Sequence, residues 1–142
     1  MKELPQEYEN LLNRRSEEGR RLSGLEREFF GWDHADAAAM LAKQWNLPDD
    51  FIALIAHHTN LDDLLKSEVD LGAACVALAS LLPSCSDRDW DESTAFYDGF
   101  TRLSGKSQEE LRGLFEAVDE GTAEFAPILK LPTPKVSLVE YL

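Results

Sequence analysis

Basic residues, histidines and cysteines are scarce in this chain, and no long hydrophobic run occurs in it. Its 142 residues include 14 lysines and arginines against 27 aspartates and glutamates, which gives a formal net charge of −13. Because binding to phosphate backbones or anionic lipids depends on positive charge, we expect neither nucleic acid nor a membrane as a partner. No apolar run approaches the ~20 residues of a membrane span, and Met1–Pro5 does not resemble a signal peptide. The sequence therefore predicts a cytoplasmic protein.

The two cysteines, Cys75 and Cys85, form no metal-binding motif. Their separation in a mostly helical stretch would be ~15 Å, which is too long for a disulfide. We expect both to be reduced thiols, with Cys75 buried and unreactive in an apolar helix.

Helical periodicity dominates the chain, and no segment alternates polar and apolar residues as a half-buried strand would. The length and the hydrophobic content of 44% predict a single domain with a substantial core. The fold class predicted is all-α, a compact multi-helix bundle of about six helices over residues 1–126. A proline-containing tail, residues 127–142, follows it, with one short turn or strand at 136–141.

Burial follows from the same patterns. The segment Glu68–Leu82 is the most apolar helix and is expected at the centre of the core. Trp45 is predicted to pack in the core and Trp90 to be partly exposed. Near the N-terminus, arginines and glutamates interleave, which favours a solvated helix face over an anion site: Arg14, Arg15, Glu17, Glu18, Arg20, Arg21, Glu26 and Glu28.

The segment Asp33–His58 reads as two helices joined at Asn46-Leu47-Pro48, and it contains all three histidines of the chain. Asp33 is a good N-cap for the first helix, which His34 opens, and His57 and His58 close the second. Histidines at the ends of facing helices are typical of a metal or anion site. A tight metal site would need one or two further ligands, usually carboxylates.

Three aspartates are available to complete such a site, but each has another role. Asp33 is better explained as a helix cap, Asp36 as a first-turn residue that complements the helix dipole, and Asp70 as a solvated residue. The residues leave two interpretations open. The histidines are hydrogen-bonded core residues, or they hold a ligand.

These residues carry a resemblance to a known family. The segment Leu22–His34 contains the pattern E-x-x-x-x-G-x-D-H, and Trp45-Asn-Leu-Pro48 and Ile55-Ala-His57-His58 follow it. In this order the motifs resemble the HDOD family, the HD-related output domains of bacterial signalling proteins. The likeness is strong over residues 4–82 and only general afterwards.

The resemblance implies an HD-superfamily-like fold and a set of candidate metal ligands. In the metal-dependent phosphohydrolases of that superfamily, histidines matching His34, His57 and His58 ligate metal. Those enzymes also use an upstream histidine and a His-Asp doublet, which would precede the start of this chain, and a later aspartate that would fall near Ser80. The resemblance therefore implies the C-terminal half of an HDOD domain plus an extension, with an exposed apolar face where the missing helices would pack.

Three functions follow. The first is a non-catalytic bacterial signalling or output module that works through a protein partner or self-association on the exposed apolar face, without a cofactor. The second is a sensor in which His34, His57 and His58 hold a divalent transition metal or a nucleotide phosphate. The third is a metal-dependent phosphohydrolase completed by another chain, which the absent doublet and Ser80 argue against.

Overall fold

The computed structural model describes residues 5–66, 70–84 and 89–142. Within these ranges the chain contains eight α-helices and two 3₁₀ helices, and no strand, which confirms the all-α prediction. None of the described helices is long and apolar enough to cross a membrane. The α-helices are α1 (Pro5–Glu18), α2 (Leu22–Phe30), α3 (His34–Gln44), α4 (Asp49–His57), α5 (Leu61–Leu64), α6 (Leu71–Ala79), α7 (Ser93–Ser104) and α8 (Leu111–Leu129).

The chain divides into two compact units, Met1–Ser80 and Leu81–Leu142. The predicted domain over 1–126 with a tail at 127–142 stays a prediction of organisation. Helix α8 continues to Leu129 with Pro127 in its last turn, and a 3₁₀ helix spans Leu138–Tyr141 where a turn or strand was predicted. Pro127 has no N–H to donate to the carbonyl of Ala123, so it removes one hydrogen bond of the last turn, and the helix ends two residues later.

The first unit is built around small residues between α3 and α4. Ala39 and Ala42 of α3 pack with Ile52 of α4, and Ile55 and Ala56 lie against this cluster. Alanine at a helix contact lets two backbones approach closely, and α3 and α4 pack against each other through this small-residue face. Helices α2 and α6 then pack against this pair and bring the ends of four helices together.

The second unit has an aromatic core. The ring of Trp90 lies 5.3 Å from Phe96, 5.9 Å from Phe115 and 5.7 Å from Tyr141, measured between centroids. The indole N–H of Trp90 donates to the carbonyl oxygen of Leu81 at 2.8 Å, so this tryptophan is both packed and hydrogen-bonded. Trp90 is buried, and the prediction of partial exposure was wrong.

Two other predictions of burial were wrong in the opposite direction. Trp45 is 69% exposed, because α3 ends at Gln44 and the tryptophan lies on the turn rather than against another helix. Helix α6 contacts its neighbours through alanines and leaves Leu71, Cys75 and Val76 exposed. Its apolar composition did not indicate which side would be covered. The predicted start of this helix at Glu68, and the predicted distance between the cysteines, lie outside the described residues.

Candidate functional site

The junction between α2 and α3 is set by Gly31 and Asp33. Gly31 ends α2 with φ of 78°, a left-handed conformation that glycine adopts without strain, and its N–H donates to the carbonyl of Arg27 at 3.0 Å. Asp33 then caps α3, as predicted, by accepting from the backbone N–H groups of Ala35 at 2.9 Å and Asp36 at 3.1 Å. The Asp36 carboxylate accepts the N–H of Asp33 at 3.1 Å and completes a capping box.

The carboxylate of Asp33 does more than cap a helix. It is completely buried, and its Oδ2 accepts from Nε of Arg27 and from the hydroxyl of Thr59, both at 3.0 Å. Burial by itself raises the pKa of Asp33, but the Asp36 N–H, the Thr59 hydroxyl and the Arg27 charge outweigh it and hold that pKa below its usual value. Asp33 is therefore an ionised, fully hydrogen-bonded group that ties α2 to the segment after α4.

A second buried carboxylate, Glu26, lies beside it on α2 with 1% of its surface exposed. Its Oε1 accepts the hydroxyl proton of Tyr8 at 2.5 Å. Its Oε2 accepts the backbone N–H of His34 at 2.9 Å and lies 2.6 Å from Nδ1 of the same histidine. Burial, this hydrogen bond and the charge of Glu26 together raise the pKa of Tyr8 to about 12. Both oxygens of Glu26 are thus already used by residues of this chain.

His34 and His58 meet at this point. Nδ1 of His34 faces Glu26, and Nδ1 of His58 lies 2.6 Å from the carbonyl oxygen of Ile55. A ring nitrogen beside an oxygen acceptor carries the proton, so both histidines donate from Nδ1. The two Nε2 atoms face each other at 3.2 Å. The contact between the two rings joins the start of α3 to the end of α4.

His57 is exposed at the end of α4, and among the described residues its ring makes no hydrogen bond to the ring of His34 or His58. Across the described ranges, no group of three or more histidine, cysteine, aspartate or glutamate side chains is arranged to hold a metal ion. Zinc centres use three or four protein ligands. The described residues therefore supply two converging nitrogens and do not by themselves fit a metal centre. A metal held by His34, His57 and His58 together stays a prediction.

Ser80 lies beside the histidines, at the place where the resemblance put the later carboxylate ligand. Its Oγ is 2.6 Å from the carbonyl oxygen of His58 and accepts from a guanidinium nitrogen of Arg21 at 2.6 Å. Arg21 also donates to the carbonyl of Thr59 at 3.0 Å. This arginine holds the end of α4 against the end of α6, so a serine and a cation occupy the position of the expected carboxylate.

The sequence interpretation missed Glu26 and Arg21, which it grouped with the solvated charges of the N-terminal region. Arg14 and Arg20 do form exposed ion pairs with Glu18 and Glu28. Two signals could have separated Glu26 from them. Glu26 lies on the same helical stripe as Leu22, Leu25 and Phe29, and it is the first residue of the E-x-x-x-x-G-x-D-H pattern.

A cavity of about 590 Å³ lies in the second unit, between the C-terminal half of α8, the tail and residues 82–84. Its lining is mainly apolar, and it includes one carboxylate, Asp119. Both oxygens of Asp119 accept backbone N–H groups, from Leu138 at 2.9 Å and Val139 at 3.2 Å. That carboxylate holds the terminal 3₁₀ helix, so neither of its oxygens is directed at a ligand in the cavity. The histidine network is therefore the stronger candidate site.

Residues 1–61, fewer than half of the 142 residues, match the family model of the HDOD domain, which supports the resemblance over this part of the chain. The match includes His34, His57 and His58 and indicates an HD-related output or signalling module. No curated protein and no solved structure matches the chain.

Proposed function

We propose that this chain is a non-catalytic signalling module that acts through contacts with other proteins. The observation that carries the proposal is that the described residues bring two histidine nitrogens together, with Ser80 and Arg21 where a further carboxylate ligand would be expected. Both imidazole Nδ1 atoms and both oxygens of Glu26 are engaged inside the network. In this interpretation the histidines and carboxylates hold the helix ends together and do not transfer protons to or from a substrate.

Phosphodiester hydrolysis in the HD superfamily depends on a metal-activated water, which needs several fixed protein ligands and an open coordination position. The described part of this chain offers His34 and His58 for that role. Ser80 is neutral and faces Arg21, so it provides no negative charge for a second ligand position. These features support the non-catalytic interpretation.

Protein contact is supported by the surface of the first unit. Large apolar side chains that a globular domain would ordinarily cover are exposed on it, among them Met40, Trp45 and Phe51. Exposed apolar surface rimmed by charge marks interaction sites. In this proposal no nucleic acid, membrane or resident cofactor takes part.

The non-catalytic half of the proposal predicts no hydrolysis of bis(p-nitrophenyl) phosphate with manganese or magnesium present. The purified chain, its His58→Ala variant and the exposed-site control His57→Ala should all match the rate of protein-free metal, because the site lacks a complete ligand set. Metal-dependent turnover by the chain that is lost in His58→Ala would contradict the proposal, whether or not His57→Ala also loses it.

The proposed contact with other proteins is tested in the cells that natively make this chain. A photo-reactive p-benzoylphenylalanine in place of Trp45 should give discrete, light-dependent protein adducts, whereas the same group at the exposed position Glu17 should not. Adducts of equal amount from both positions, or none from position 45, would show that this surface does not contact a protein.

A further inference from the structure

Five exposed apolar side chains surround the turn between α3 and α4, and together they are called the turn patch here. Their exposed fractions run from 40% for Leu47 and 48% for Leu41 to 59%, 69% and 74% for Phe51, Trp45 and Met40. Leu41 and Trp45 are four residues apart along α3 and its end, and Leu47 and Phe51 are four residues apart at the start of α4. The spacing places Leu41 and Trp45 on one side of α3, whereas Leu47 precedes the N-cap of α4 and Phe51 lies in the first turn of that helix. Tryptophan, phenylalanine and methionine are side chains enriched in protein interfaces.

The turn that carries the patch is held firmly. The N–H of Trp45 donates to the carbonyl of Leu41 at 2.9 Å, and the N–H of Leu47 donates to the carbonyl of Ala42 at 3.0 Å. The helices on either side are fixed by the cluster of Ala39, Ala42 and Ile52 on their inner faces. Because the backbone is already ordered, binding of a partner here costs little conformational entropy in the turn.

The charges at the edge of the patch favour a basic partner. Asp49 and Asp50 are exposed in the first turn of α4, and no ion pair neutralises either of them within the described residues. Lys43 is the cation of this stretch. A second copy of the chain would bring another formal charge of −13 to the contact, and like charges oppose association.

We infer that the turn patch binds a basic amphipathic segment of a partner protein, with apolar side chains on Trp45 and Phe51 and lysines or arginines beside Asp49 and Asp50. This inference rests on the proposed function and specifies the partner's chemistry. A helix with an apolar face and a basic edge is the simplest segment with that chemistry. The acidic field of the chain would then speed the encounter, and the apolar contacts would hold the complex.

Three labelled synthetic peptides of about 18 residues test the inference by fluorescence anisotropy with the full chain. The first places leucine and lysine so that they form an amphipathic helix, the second replaces every lysine with glutamate, and the third scrambles the first so that no apolar face forms. The amphipathic basic peptide should bind at least about tenfold more tightly than either of the others at physiological salt. Equal binding of the scrambled peptide would show attraction by net charge alone, and equal binding of the acidic peptide would remove the basic requirement. Either result overturns the inference.

Matched variants locate the contact. Trp45→Ser should weaken binding of the amphipathic basic peptide about tenfold, and Asp49→Asn with Asp50→Asn should weaken it about threefold at low salt and less at high salt. The control Ile128→Ser removes a side chain that is also 69% exposed but lies on α8, and it should leave binding unchanged. Each variant is exposed, so circular dichroism should show an intact fold. Weakening by Ile128→Ser equal to that by Trp45→Ser would refute the location.

The inference and the proposed function fail separately. Light-dependent adducts at position 45 combined with a contact segment that is acidic or uncharged would leave the proposed function standing and overturn the inference. Concentration-dependent dimerisation in sedimentation, abolished by Trp45→Ser, would show that a second copy occupies the patch and would also overturn it. Absence of any adduct at position 45 would count against the proposed function itself.

Discussion

Replacing Glu26 by alanine is expected to lower the free energy of unfolding by about 3 kcal/mol, because it leaves three donors without their buried acceptor. These donors are the Tyr8 hydroxyl and both the backbone N–H and Nδ1–H of His34. The substitution also leaves space where a side chain with 1% exposure was packed. Urea unfolding at neutral pH, followed by circular dichroism, measures the change.

Glu28→Ala is the matched control for this experiment. Glu28 lies two residues further along the same helix and pairs with Arg14 and Arg20, but its side chain is 48% exposed. Exposed ion pairs are screened by water and salt, so this substitution is expected to change stability little. An effect of Glu26→Ala no larger than that of Glu28→Ala would show that the buried network does not hold the helix ends together.

Replacing Asp33 by alanine is the second large change, with an expected loss of about 3 kcal/mol. Loss of the N-cap accounts for about 1 kcal/mol, and loss of the buried acceptor for Arg27 and Thr59 accounts for the rest. Asp33→Asn keeps a capping oxygen and removes the charge, so its free energy of unfolding should lie between those of the wild type and Asp33→Ala. Asp70→Ala, which removes an exposed N-cap with one bond to the N–H of Ala73, should lose about 1 kcal/mol.

The pH dependence of stability distinguishes the contribution of the Asp33 charge from that of its hydrogen bonds and packing. Its pKa in the folded protein is lowered, so the ionised carboxylate stabilises the fold fully above the unfolded pKa of about 3.9. That stability is lost as the pH falls through the folded pKa. The difference in free energy of unfolding between wild type and Asp33→Asn should therefore be constant from about pH 5 to 8. Below about pH 4 this difference should shrink. A difference that widens on acidification would show that Asp33 is not held as an anion.

Local signals in the sequence predicted much of the site. Asp33 was identified as an N-cap because a short side chain with an acceptor oxygen, placed just before an alanine-rich helix, favours the N-cap position. The structure confirms this prediction. The helix break at Asn46-Leu47-Pro48 placed His34 and His58 at helix ends, which meet in the structure. These predictions depend on residues that are close in the chain, where spacing determines geometry.

Burial was less predictable, because it depends on which helices meet and not on one helix alone. Glu26 is charged and was assigned to solvent, yet α1 and α3 cover it and supply its donors. Trp45 is apolar and was assigned to the core, yet it lies on a turn and is 69% exposed. Composition gives the tendency of a residue to be buried, and the tertiary contacts of its position decide the outcome.

The most direct test of the central claim, that His34 and His58 belong to a structural network and not to a metal centre, is the metal content of the purified chain. Untagged protein prepared without chelators would be measured by inductively coupled plasma mass spectrometry beside His58→Ala. We expect far less than one transition metal per chain in both proteins, because two imidazole nitrogens without a third ligand bind metal weakly. About one metal per chain in the wild type, lost in His58→Ala, would contradict it.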